Sequence, residues 1–259
     1  MASFADTRDR SVPGEGLDGV VSPYQQFYTE TDAEKVMISE LISAVEASEE
    51  YKMKDPLYVP TRMTYRRFVR GSKMNITKAV EDMTKMLAFR REEKVQSVTE
   101  ANYTGILAQT EQSIVLNGKD HNGRPLVEVF AAKHDKNNRD INEYKAFVIH
   151  TFEQCMSYGN DERLSFVFYM ENFGIFKNMD FECVKCLVSI LQSYYPETLN
   201  TALIIDAPFV FWGCWKVIKP WLDPVTAAKV TFIKKKDLAT HLRPATAVTV
   251  AVADTKAPV

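Results

Sequence analysis

Cysteine is scarce in this sequence: Cys155, Cys183, Cys186 and Cys214 are the only four in 259 residues. Their spacing is not that of a small disulfide-stapled secreted domain, and no charged-then-apolar leader precedes them, so a reducing, cytoplasmic compartment is expected. An uninterrupted apolar run of about 18 residues is also missing, which leaves only peripheral contact with a membrane. Neither sign of charge dominates. Thirty-two basic against 34 acidic side chains give a net charge of −2, and without an overall positive field nucleic acid is not an expected partner.

The signatures of common enzyme chemistry are absent as well: no G-x-G-x-x-G, no phosphate-binding Walker loop, no H-E-x-x-H and no G-x-S-x-G. Cys183-x-x-Cys186 is a single pair inside a helical pattern with no second pair, so it reads as part of a helix face rather than a zinc or redox site. His121, His134, His150 and His241 are scattered, none at ligand spacing from another, and no metal is expected. Nothing pairs an acid, base or nucleophile, so no catalytic residue is assigned and no enzyme is expected. Binding is the better class.

What the chain does contain is 46% hydrophobic residues, ample for one sizeable domain with a helical extension. Residues 1–30 mix Gly, Pro, Ser and charge without periodicity and are expected to form a mobile leader. From Thr31 a capping-box spacing to Glu34 opens a helix carrying Val36, Met37, Leu41 and Val45. "RMTYRRFVRG" reads as a second helix ended by Gly71. Asn75 is a good N-cap for a third, with Ile76, Val80, Met83 and Leu87 as its apolar stripe. Residues 31–110 are therefore expected to form a small helical module.

The texture changes near residue 111. "HNGRPLVEVF" has a turn signal at Asn122-Gly123 and then a strand. "INEYKAFVIHTFEQCMSYGN" places Ile141, Tyr144, Val148, Phe152 and Cys155 at helical spacing, with Gly159 as its stop. "LSFVFYM", then "FECVKCLVSILQSYY" after Asp180, then "TALIIDAPF" reads strand, helix halted by Pro196, strand, which implies a right-handed parallel crossover. "KVTFI" (residues 229–233) is a last strand. This alternation predicts an α/β sheet with helices packed on it. Residues 111–243 form this unit, and the Ala/Thr/Val-rich 244–259 are expected to be a poorly ordered tail. The stretch from Phe209 to Trp221 gathers all three tryptophans of the chain, too small a segment to be a core of its own.

Taken in order, "RFVRGSKMNITKAVEDMTKMLAFRREE", "KDHNGRPLVEV" and "YYPETLNTALIIDAPFVFWGCWKVIKPWLDPVTAAKV" resemble the CRAL-TRIO lipid-binding family over residues 31–233. The resemblance implies a helical bundle followed by a mixed, largely parallel sheet that floors an apolar pocket for one lipid, closed by a gate helix. The chain resembles in particular the yeast-secretory-type phosphatidylinositol transfer proteins. In those members a Glu after Y-Y-P and a Thr and a Lys in L-D-P-x-T-x-x-K hold the inositol phosphate. Those positions are Glu197, Thr226 and Lys229, chemically an acceptor for inositol hydroxyls, a hydroxyl donor and a cation for phosphate. Phe209, Phe211, Trp212, Trp215, Val217, Ile218, Trp221 and Leu222 fall on the gate, bracketed by Pro208 and Pro220.

Several positions depart from the pattern. Ser72 and Thr198 stand where such members commonly have arginine. "LSFVFYM" lacks the Ser/Thr pair, and "RPLVEV" the tyrosine, that in some members bind a choline headgroup. The closing L-P-x-x-Y-G-G segment is not found after Lys234. The expected function is lipid binding and transfer without a cofactor, the ligand being a phospholipid, phosphatidylinositol first, and the membrane a transient partner. The alternatives are an adapter or sensor module that transfers nothing and a carrier of a neutral hydrophobe such as a sterol or tocopherol-like molecule.

Overall fold

The computed structural model describes residues 30–109, 114–120, 123–158 and 162–241. Residues 1–29 of the leader, the whole of the tail, Asn122 and Gly159 therefore lie outside the described residues. Helix α1 (Asp32–Glu46) starts at a reciprocal cap: the Thr31 hydroxyl accepts from the Glu34 amide at 3.1 Å, and the Glu34 carboxylate accepts from the Thr31 amide at 2.8 Å. A single turn, α2 (Glu49–Lys52), leads to α3 (Arg62–Gly71) and α4 (Ile76–Glu92), where Asn75 accepts from the Lys78 amide at 3.0 Å. Ile38, Leu41, Phe68, Val69, Met83 and Leu87 form the centre of this helical layer. Along α4 the buried stripe runs through Ala79, Met83, Met86 and Leu87, while Ile76 and Val80 are only partly buried. The expected stripe was thus right at its C-terminal half and shifted on the helix surface at its start.

After a short α5 (Thr104–Gln109) come β1 (Ile114–Lys119) and β2 (Pro125–Phe130), an antiparallel pair. Gly123, at φ +74°, donates its amide to the Asp120 carbonyl at 2.9 Å and lets the chain reverse. Strand β1 is an element that the sequence reading did not find. The chain continues through α6 (Ile141–Tyr158), β3 (Leu164–Tyr169), the turn α7 (Ile175–Asn178), α8 (Phe181–Tyr194) and β4 (Leu199–Ile205). It ends with α9 (Phe211–Ile218), α10 (Pro224–Ala228), β5 (Val230–Ile233) and α11 (Leu238–His241).

The sheet order is β1-β2-β3-β4-β5, with every pair after the first parallel. The crossover from β3 through α8 to β4 is the one expected from the sequence. Alternation along the strands separates the two faces. Val167, Leu203 and Ile205 pack on one side, with Leu238 of α11 against them. Phe166, Ala202 and Ile204 look the other way, toward α6, α8 and α9. The helical layer is not detached from the sheet: Phe89 of α4 belongs to the sheet core and stacks on Tyr194 with ring centroids 3.7 Å apart.

Candidate functional site

Between the sheet and its covering helices lies an apolar cavity of about 210 Å³. Phe166, Phe168, Ala202 and Ile204 form its floor. Val184, Leu187 and Leu191 of α8 form one wall, and Phe211, Trp215 and Ile218 of α9 close it. Strand periodicity builds the floor, and helical periodicity brings Phe211, Trp215 and Ile218 to one side of α9.

Next to it lies a polar recess of about 510 Å³, where Glu197, from the turn before β4, meets Thr226 and Lys229, which lie one helical turn apart in α10 and at its C-terminal cap. Lys229 Nζ lies 3.5 Å from Glu197 Oε2, both side chains about a quarter exposed. Leu191, Leu199, Leu222 and Thr226 line both spaces. One wall therefore separates a greasy compartment from a hydrogen-bonding one.

The chain places these three residues by local means. Glu197 sits at φ +56°, a left-handed conformation that costs a non-glycine residue about 1–2 kcal/mol and persists only when its neighbours fix it. They do: the Tyr195 hydroxyl donates to Glu153 at 2.7 Å, and Thr198 accepts from Arg67 at 3.0 Å and donates to the Tyr195 carbonyl at 2.5 Å. Pro196 lies against Gly71, where an added Cβ would come within 2.9 Å of the proline ring. Thr226 lies in α10, which Asp223 caps by accepting from the Val225 amide at 2.9 Å and the Thr226 amide at 3.0 Å. Burial opposes the charge on Asp223, but Thr226, the Val225 amide and Lys229 together hold its carboxyl below the usual range. Gln192 fixes the same turn, donating to the Trp221 carbonyl at 2.9 Å and accepting from the Asp223 amide at 2.7 Å.

The two substituted arginine positions now have a physical account. Thr198 is fully buried and Ser72 nearly so; the Ser72 hydroxyl donates to the Val69 carbonyl at 2.9 Å. Both serve the backbone. Sequence reasoning missed Lys73, in the turn between α3 and α4, and Lys78, in the first turn of α4, both of which line the recess. Lys78 pairs with Asp82 at 2.8 Å, whereas Lys73 has no ion-pair partner among the described residues. Lys73 stands inside the string that carries the resemblance, next to Ser72, and that proximity was the available signal.

The eight residues assigned to the gate divide by direction. Phe211, Trp215, Ile218 and Leu222 line the cavity, and Trp221 and Leu222 the recess. Phe209, Trp212 and Val217 are exposed, Phe209 at 92%. Trp212 stacks on Phe232 with centroids 4.4 Å apart.

A separate cluster borders the cavity. His134, Asp180 and Cys183 bring three donor atoms within 4.8 Å of one another, but the arrangement does not suit a metal ion. Arg139 Nε donates at 2.7 Å to the same Asp180 oxygen that His134 faces at 3.2 Å, which sets a permanent cation beside the carboxylate. Burial, then the charge on Asp180, pushes the Cys183 thiol far up, away from the thiolate that a metal takes.

Comparison with known proteins agrees with this architecture. Residues 109–246 match the CRAL/TRIO domain, and the chain belongs to that family. Among curated relatives it is similar to the phosphatidylinositol transfer protein CSR1 of Eremothecium gossypii, 33% identical over 183 residues, covering 65% of this chain and 41% of that protein. It is also similar to the phosphatidylinositol transfer protein PDR17 of Saccharomyces cerevisiae, 25% identical over 185 residues, covering 66% and 52%. The chain thus spans about half the length or less of these relatives. Among solved structures, Sfh5 shares the fold with a TM-score of 0.66 at 18% identity, over 83% of this chain and 85% of that one.

Proposed function

We propose that this protein binds one phospholipid and exchanges or presents it at membranes, and that the lipid is phosphatidylinositol. The observation that carries the reading is the shared wall. A hydrocarbon compartment and a polar recess meet at Leu191, Leu199, Leu222 and Thr226, which suits a molecule with acyl chains at one end and a charged sugar at the other. Each methylene moved from water into the cavity is worth about 0.8 kcal/mol. In the recess Lys229 and Lys73 would neutralise the phosphate, Thr226 would donate to it, and Glu197 would accept from inositol hydroxyls. Names carried by relatives such as CSR1 and PDR17 point the same way.

The outer surface of α9 supports transient contact with a bilayer. Trp212 and Val217 are exposed there and Phe209 just before it, close in sequence to Lys216 and Lys219, and aromatic side chains with lysines suit the membrane interface. Among the described residues no helix is long and apolar enough to cross a membrane. The working location is the cytoplasm and the surface of a membrane, and the role is that of a carrier, not a catalyst.

Native mass spectrometry with lipid extraction tests this. The wild-type chain is expected to carry phosphatidylinositol, and Lys229→Ala and Thr226→Ala to lose it selectively, Lys229→Ala by about ten-fold or more in affinity for one charge-assisted contact. A wild-type chain that carries no phospholipid, or one indifferent to both changes, removes the headgroup assignment.

A further inference from the structure

The apolar cavity has a second polar end that the headgroup recess does not use. Glu197 and Lys229 stand before the N-terminal ends of β4 and β5, whereas His134 and Asp180 lie beyond the C-terminal ends of β2 and β3. Because β2 to β5 run parallel, the two ends are a strand length apart, about 20 Å for a strand like β4.

Asp180 organises this end. It accepts from Arg139 Nε at 2.7 Å, from the Glu182 and Cys183 amides at 3.0 and 3.1 Å, and faces His134 Nε2 at 3.2 Å. Burial works against its charge, but the guanidinium, the Cys183 contacts and His134 outweigh it, and the carboxyl is held far below the usual carboxylate range. An ionised carboxylate only accepts, which assigns the donated proton to His134 Nε2; in that tautomer Nδ1 carries a lone pair that this contact does not use. Asn178 fixes the same loop by donating to the Ala132 and His134 carbonyls at 3.1 and 2.6 Å.

Tyr144 completes the cluster from α6, its ring edge-on to His134 with centroids 6.5 Å apart. Burial, then the nearby Cys183, Cys186 and Asp180, drive its phenol well above the ordinary value, so it stays an O–H donor. Neither the Tyr144 hydroxyl nor His134 Nδ1 has a hydrogen-bond partner among the described residues, and both residues border the cavity. Neither atom is sealed inside the protein, so a polar group on a ligand in this hydrocarbon-lined space can reach both an unused donor and an unused acceptor.

A hydroxyl is the simplest neutral group that both accepts and donates. A carboxylate has no proton for Nδ1 and would meet Asp135 and Asp180, while Arg139, the cation at this end, is already paired with Asp180; a methyl terminus satisfies neither atom. We infer that this end of the cavity binds the hydroxyl of a hydrophobic ligand, Tyr144 donating to its oxygen and His134 Nδ1 accepting its proton. The inference rests on reading the cavity as a lipid pocket. That hydroxyl belongs either to the chain end of a phospholipid or to a free hydrophobic alcohol.

The test uses the full chain freed of lipid and loaded with a pyrene-labelled phosphatidylinositol. Displacement is measured with octadecan-1-ol against octadecyl methyl ether, which accepts but cannot donate, and with phosphatidylinositol bearing an ω-hydroxylated chain against its unmodified parent. In the wild type at least one hydroxylated member is expected to displace at about ten-fold lower concentration than its partner, roughly one hydrogen bond. The ratio is expected to fall toward parity in Tyr144→Phe and in His134→Gln. A preference in the phospholipid pair assigns the hydroxyl to a chain end, and one confined to the alcohol pair assigns it to a free hydrophobe. Parity in both wild-type pairs, or a preference that survives Tyr144→Phe, overturns the inference alone. A wild-type chain that never takes up the pyrene lipid overturns the lipid-pocket reading and this inference with it.

Discussion

At the scale of single residues, buried charge is where this protein concentrates its demands. Asp180 is 6% exposed and held by Arg139, so Asp180→Asn keeps a capping side chain on α8 while removing the ion pair. The expected loss is about 3 kcal/mol at neutral pH, read by urea unfolding. The pH dependence follows from the direction of the shift. A carboxyl depressed in the folded state contributes stability that is present above its unfolded value, about pH 4, and is lost as pH falls toward the folded one. The gap between wild type and Asp180→Asn should therefore be full at pH 7 and shrink below pH 4; a gap that grows on acidification would contradict it. Nothing in the sequence around Asp180 revealed Arg139 as its partner, since the two lie 41 positions apart. The helix that follows Asp180 was legible from its apolar spacing, while the cap that Asp180 gives it became visible only in the structure.

At the scale of elements, local rules carried far and long-range ones did not. The caps at Thr31 and Asn75, the strand-helix-strand order around α8 and the stop after Tyr194 were all readable, because each rests on residues within a few positions of one another. Strand β1 was missed: in "IVLNGK" Ile114, Val115 and Leu116 form only a short apolar run before Asn117 and Gly118, and its partner is known only once β2 is placed. Helix α9 shows the limit most clearly. Its composition marked it as unusual, but which tryptophan turns inward depends on where the sheet lies beneath it. Trp215 lines the cavity, and Trp212, three positions earlier, is 45% exposed. An outward apolar surface on a covering helix predicts function: Phe209→Ser and Trp212→Ser should each slow lipid transfer between vesicles by about ten-fold, from roughly 1.5 kcal/mol of interfacial burial per side chain. A vesicle-to-vesicle assay checks this, and unchanged rates would separate α9 from the membrane.

At the scale of the whole molecule, the helical layer and the sheet are joined by the same contacts that place Glu197. Arg67 of α3 pairs with Glu162 at 2.9 Å and donates to Thr198, and Arg90 of α4 pairs with Glu153 at 2.7 Å, which in turn accepts from Tyr195. Filling the cavity should therefore stabilise the assembly as one body. At a hundred-fold excess of lipid over Kd the gain is about 2.7 kcal/mol, which for a chain of this size corresponds to roughly 5–10 °C in Tm. Thermal unfolding of loaded and lipid-free protein measures it, and coincident curves would show that the lipid adds nothing to folding.

The recess draws on residues 68–82 and 191–229, and the far cluster on residues 134–183, with no residue in common. Heredity can thus work on the two ends separately: a mutation that retunes headgroup choice leaves the far end's chemistry as it was, and the converse holds as well. One scaffold of this kind can diverge into carriers of different cargo by small steps, each of which keeps a filled and folded intermediate.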